Sequence, residues 1–152
     1  TTMLPAISRH LDDRELFERC KPVEVADLCY AAGMLGAHAD GAVDEMAPAF
    51  VGRLTERMQP GAELLGQFSS RQMVTVMWAH ARLRISPPVE VLDAWREHIL
   101  EKTARFPLQT ADRENLRRSL TSLGQNATAW IDPNWSPQQA EQSAPPVVAS
   151  RC

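Results

Sequence analysis

The chain has 152 residues, 44% of them hydrophobic, which is enough for one domain with a buried core. A formal net charge of −3 argues against indiscriminate nucleic-acid binding. No apolar run approaches the roughly 20 residues that cross a bilayer, so no membrane insertion is expected.

The charge is unevenly spread. Residues 1–67 hold 6 Lys/Arg against 11 Asp/Glu, whereas residues 68–124 hold 9 against 6. An acidic front and a basic middle suit a chain set between unlike partners. The three cysteines, Cys20, Cys29 and Cys152, form no C-x-x-C pair and no even-numbered framework. The chain opens Thr1-Thr2 rather than on methionine, which is compatible with removal of a targeting peptide.

Helix signals dominate. A first helix is predicted over Met3 to Glu18, broken at Lys21-Pro22. Pro22 suits the first position of the next helix, where its missing N–H costs nothing. That helix, residues 22–36, places Val25, Leu28, Cys29, Ala32 and Leu35 on one stripe, with Cys29 as a buried free thiol. A loop follows, then a helix capped by Asp44 that tolerates Pro48 in its first turn and buries Met46, Phe50, Leu54 and Met58. Asp40-Gly41 with Asp44-Glu45 lacks the alternation of a calcium loop and reads as a turn with a cap.

After Gln59-Pro60-Gly61, Ala62 to Gln67 forms a connector with room for a helical turn. Ser69 followed by Gln72 is a capping box ahead of a helix to Arg84. This helix is apolar on nearly every side, so neighbours are expected on both flanks. Pro87-Pro88 starts another helix from Val89 to about Thr103, with Val91, Leu92, Trp95 and Ile99 inward. Leu108 to Leu123 is the last, with Thr110 as its cap and Leu116, Leu120 and Leu123 as core. From residue 125 the chain turns rich in Pro, Gln and Ser without periodicity, the composition of a segment that builds no core alone. Trp130 and Trp135 in AWIDPNW read as anchors by which a partner surface holds that segment.

One helical hairpin is written twice. Moving Cys20–Leu35 forward by 48 positions sets Tyr30 on Trp78, Ala31 on Ala79, Leu28 on Val76 and Leu35 on Leu83, and further on Val51 on Ile99. A weaker third copy lies 40 positions later, at Leu108–Leu123. Periods in this range belong to stacked repeats, which cannot bury an apolar face singly. The expected fold is all-α: a short α-solenoid of two clear hairpins and a degenerate third over residues 1–124, with an extended C-terminal arm over 125–152.

Phe68, Gln72, Val76, Trp78-Ala79, Ala81 and Leu83, followed by Arg84-Ile85-Ser86-Pro87-Pro88, resemble the repeat of the organellar octotricopeptide and heptatricopeptide families, whose pattern FAST-kinase-like proteins share. The first copy departs from it with Cys20 in the aromatic position and Gly33 where alanine is usual. The third has Arg118 in place of Trp. The resemblance implies a helical-hairpin array in mitochondria (the matrix) or plastids, engaged in RNA metabolism or organellar ribosomes.

Short polar residues at equivalent positions of the first helices, Asp27, Thr75 and Asn115, have the hydrogen-bonding capacity that base reading needs, with a plain solvent-facing surface as the alternative. Arg71, Arg82, Arg84, Arg113, Arg117 and Arg118 are candidate phosphate ligands, with a solvated basic surface as the alternative. His10, His38, His80 and His98 have no metal-ligand spacing, and no metal or other cofactor is expected. There is no G-x-S-x-G, phosphate-cradling glycine loop or recognisable nucleophile–base pair, so the chain reads as non-enzymatic.

The leading expectation is a structural subunit of an organellar ribonucleoprotein, the mitochondrial ribosome first, contacting rRNA and neighbouring proteins. The alternative is an accessory, protein-only subunit of a respiratory or ATP-synthase-type complex. A free RNA-binding stability factor is disfavoured by so few repeats.

Overall fold

A computed structural model describes residues 18–38, 40–132 and 134. Among the described residues there are seven α-helices: α1 (Pro22–Gly36), α2 (Met46–Thr55), α3 (Glu63–Gln67), α4 (Ser70–Leu83), α5 (Val89–Arg105), α6 (Thr110–Ser122) and α7 (Thr128–Ile131). A single 3-10 turn, Glu56–Met58, extends α2. None of these helices is long and apolar enough to cross a membrane. The described residues are all-α, with one isolated antiparallel bridge among them, between Ala37 and Val43, that closes the α1–α2 loop. Asp40 shapes that loop by accepting the Ala42 N–H at 2.9 Å, and Gly41 supplies the positive φ of 85° that the turn requires.

The helix starts follow the expected local chemistry. Pro22 opens α1, and Glu24 accepts the Lys21 N–H at 2.7 Å. Ser69 and Gln72 form the reciprocal capping box at α4, with bonds of 3.2 and 2.8 Å. Asp44 Oδ1 takes the Met46 N–H at 2.9 Å. Thr110, expected as a cap, is instead the first helical residue of α6, and Gln109 occupies the cap position without a side-chain bond.

α4 is the central element. It packs along α1 on one flank and α6 on the other, while α2 rests on α1 and α4, and α5 joins α4 to α7. This explains the apolar surface of α4, where Met73, Val76, Met77 and Ala79 are fully buried. Burial of Trp95, Phe68, Leu54, Ile99, Leu116 and Leu120 completes one continuous core, each such side chain contributing about 1.5–3 kcal/mol or more.

Buried polar groups in the core are satisfied. Trp95 Nε1 donates to the Met58 carbonyl at 2.9 Å, and His98 Nε2 donates to the Phe68 carbonyl at 2.7 Å, fastening α5 to both ends of the connector. His80 Nδ1 donates to the Val76 carbonyl at 2.8 Å and meets the edge of Trp95. Burial pushes the His80 imidazole down to about 4, against a smaller upward pull from the Val76 carbonyl. Burial likewise pushes the Cys29 thiol up to about 12.

Three expectations about the core are corrected. Leu35 is 41% exposed because α1 turns its Val25, Ala26, Cys29, Ala32, Gly33 and Gly36 side inward, and Met46, the first residue of α2, is 42% exposed because no described helix covers it. Trp130 is 3% exposed. It closes the core beside Thr103, Pro107 and Leu108, so it anchors α7 to its own chain rather than to a partner. The ordered helical unit consequently extends through Ile131, past the expected boundary at residue 124. Trp135 and the predicted helix over Met3 to Glu18, apart from Glu18 itself, lie outside the described residues.

Candidate nucleic-acid interface

The surface along α1, α4 and α6 gathers the most chemistry. Tyr30 of α1 and Trp78 of α4 are repeat equivalents that the sequence pattern assigns to similar environments. The structure sets them side by side with ring centroids 5.2 Å apart and planes 27° from parallel, an offset stack. Tyr30 remains 51% exposed and Trp78 is half-buried. The Arg82 guanidinium lies over the Trp78 ring, 5.5 Å from its centroid, while Arg82 Nε donates to the Gly33 carbonyl at 2.9 Å.

The close tryptophan explains the glycine in α1. A methyl group at position 33 would meet Trp78 Cζ3 at 2.7 Å, inside van der Waals contact. Gly33 thus allows the close approach that seats the aromatic pair.

Trp78 separates two adjoining clefts. The first, about 300 Å³, is lined by Tyr30, Arg71, Thr75, Trp78, Asp112 and Asn115. Arg71 Nε stands 3.9 Å from Asp112 Oδ2, longer than a hydrogen bond, and the Arg71 side chain is 81% exposed. The second cleft, about 210 Å³, is lined by Trp78, Ala81, Arg82, Arg118, Ser119 and Ser122. Three expected site residues, Arg71, Thr75 and Asn115, therefore share one cleft, and Arg82 and Arg118 share the next.

The remaining candidates fall elsewhere. Arg113 and Arg117 line the cleft between α6 and α7. Arg84 terminates α4 in the left-handed conformation at φ 56° and reaches toward Gly41 in the α1–α2 loop. Asp27 is exposed on α1 and lines neither of the clefts beside Trp78.

Local pairing tempers the basic character of α6. Arg117 grips Glu114 with two bonds of 2.9 and 2.6 Å, and Arg118 adds a third at 2.9 Å. The hydrogen bonds from Arg117 and then Arg118 hold the Glu114 carboxyl down at about 2. Glu114 also raises the Arg117 guanidinium above its usual range. One carboxylate thus shares two guanidinium groups, leaving a single net positive charge for an external anion. The i, i+3 and i, i+4 spacing signalled this cluster in the sequence. Trp78, Tyr30 and Asp112 are the site residues that sequence reasoning missed: Trp78 reads as part of the apolar girdle of α4, and Tyr30 and Asp112 reach α4 from different helices.

Among the described residues, no group of three His, Cys, Asp or Glu side chains is arranged to hold a metal ion. No protein-family model, characterised protein or solved structure matches this chain.

Proposed function

We propose that this protein is a non-enzymatic structural subunit of an organellar ribonucleoprotein, the mitochondrial ribosome being the leading assembly, and that it contacts RNA through the α1–α4–α6 surface. In this reading α1, α4 and α6 are the first helices of successive hairpins in a short α-solenoid. Their starts at Pro22, Ser70 and Thr110 follow the 48- and 40-residue spacings of the sequence pattern, and each packs against the next. The organellar setting, matrix or plastid, rests on the resemblance of Phe68–Leu83 to organellar helical repeats.

The observation that carries the RNA reading is the half-open Tyr30–Trp78 stack, flanked by Arg71, Arg82 and Arg118. Aromatic faces with interleaved arginines suit unpaired bases and their phosphates, because every base has a stacking face and guanidinium groups complement phosphate oxygens.

A specific feature also favours protein contacts. Val23, Met34, Leu35 and Met46 are each 41–49% exposed on α1 and the start of α2. Apolar exposure of this kind suits a neighbouring subunit. In the leading reading it adds a protein neighbour beside the RNA; in a protein-only accessory subunit it would be the main interface.

Sedimentation of a native organelle lysate, with and without ribonuclease, tests the proposal. Fast migration that collapses after ribonuclease is the expected result. Fast migration indifferent to ribonuclease would transfer the chain to a protein-only complex.

A further inference from the structure

The cleft beside Trp78 has a feature that general RNA affinity does not require: an acidic side chain faces the arginine at its mouth. A phosphate-binding surface gains nothing from a carboxylate there, since it repels the backbone. The Arg71–Asp112 pair is also loosely closed, at 3.9 Å between Nε and Oδ2, and both groups line the same cleft as the two aromatic rings. Resting on the RNA reading above, we infer that this cleft takes one unpaired guanine of a single-stranded RNA segment.

The argument is one of matching edges. Guanine presents two acceptors, N7 and O6, followed by two donors, N1–H and the N2 amine. A guanidinium supplies paired donors for the first two atoms, the commonest specific contact to guanine. A carboxylate supplies paired acceptors for the other two. Among the four standard RNA bases, only guanine offers adjacent donors to a carboxylate beside adjacent acceptors to a guanidinium. Adenine brings the unprotonated N1 lone pair toward Asp112, cytosine has a single donor group in its N4 amine, and uracil has one N3–H between two carbonyls, so none of them offers the donor pair. In a duplex the N1 and N2 positions are already engaged, so the reading selects an unpaired nucleotide.

The surroundings fit a flat aromatic ligand. At about 300 Å³ the cleft lies at the lower end of small-molecule site volumes, roughly 300–1,000 Å³. The exposed ring of Tyr30, backed by Trp78, provides a stacking face, and Asn115 offers both a donor and an acceptor. Thr75 already donates its hydroxyl to the Arg71 carbonyl at 3.3 Å, so it contributes lone pairs rather than a donor. Arg82 and Arg118, across the Trp78 ring, are placed for the adjoining phosphate.

Fluorescence anisotropy of the full chain with labelled decauridylate tests this, using a central guanosine, adenosine, cytidine or inosine. Guanosine should bind about tenfold more tightly than adenosine or cytidine, the size of one good bidentate base contact. Inosine lacks the N2 amine and should fall between them. Asp112→Asn should bind guanosine no more tightly than adenosine in the same variant, and decauridylate no more weakly than the wild type does, since a backbone-repelling charge is gone; a thermal melt confirms that the variant folds. Equal affinity for all central bases, with salt-sensitive binding retained, would overturn the guanine assignment and leave the RNA reading intact. So would a guanosine preference that survives in folded Asp112→Asn. Failure of every oligonucleotide to bind, even at low salt, would remove the RNA reading and this inference with it.

Discussion

His80 makes the fold sensitive to mild acid. Its ring is buried against Trp95, and burial outweighs the upward pull of the Val76 carbonyl on Nδ1–H, so the folded state holds a neutral imidazole down to about pH 4. The unfolded chain protonates near the ordinary histidine value of about 6.5. The unfolded state therefore binds more protons throughout this window, and stability falls as pH drops through it. At about 1.4 kcal/mol per unit, a separation between 6.5 and about 4 corresponds to roughly 3 kcal/mol once both states are protonated. Between pH 7.5 and 5.0 the loss should be about 2 kcal/mol.

Replacement His80→Gln keeps a donor of similar reach and removes the titration. Urea unfolding at both pH values should show the wild type losing about 2 kcal/mol more than the variant on acidification. The comparison avoids Glu114, whose ordinary and depressed values both lie below this window. An identical pH dependence in the two proteins would refute the burial argument, whatever their absolute stabilities.

Four further outcomes are expected. Gly36→Ala should destabilise by about 1–3 kcal/mol, because the new methyl collides with the Ala47 Cβ and presses on Leu83. Gly52→Ala, in an α2 site with open space, should stabilise by about 0.5–1 kcal/mol, and paired thermal melts check both signs. Cys29, wholly buried with its thiol pushed up to about 12, should alkylate far more slowly than half-buried Cys20 in peptide-resolved mass spectrometry of the native protein. Comparable rates would mean that α1 opens readily. If Arg82 and Arg118 are the phosphate ligands, single-stranded RNA affinity should fall with salt at a log–log slope of about −1.4, shrinking towards zero in Arg82→Gln/Arg118→Gln. An unchanged slope in the double variant would assign the phosphates elsewhere.

The helices were legible wherever local chemistry dictates them. Pro22, Asp44 and the Ser69–Gln72 box all act at helix starts as their residue types require. The apolar girdle of α4 likewise announced neighbours on both flanks, and α1 and α6 are there. Periodicity was less reliable at the edges. Leu35 and Met46 sit at helical spacing from buried residues, yet no later helix among those described covers them. Sequence spacing records which side chains share a face, not whether a neighbour arrives.

Trp130 illustrates the opposite error. In a Pro- and Gln-rich stretch it resembles an anchor for a partner, but α7 folds back and uses it to seal α5 and α6. The site was legible in pieces. Arg71, Thr75, Arg82, Asn115 and Arg118 were singled out by type and register, and the Glu114 clamp follows from its spacing. The Tyr30–Trp78 stack and the Arg71–Asp112 pair join different helices, so only the packing of α1 and α6 on α4 brings them together.

The central claim is that RNA lies on the α1–α4–α6 surface in the native assembly. Ultraviolet crosslinking of that assembly, followed by mass spectrometry of nucleotide-bearing peptides, tests it most directly. The account predicts adducts on Tyr30 or Trp78. Recovery of the chain with its assembly, but with no nucleotide adduct on α1, α4 or α6, would contradict it.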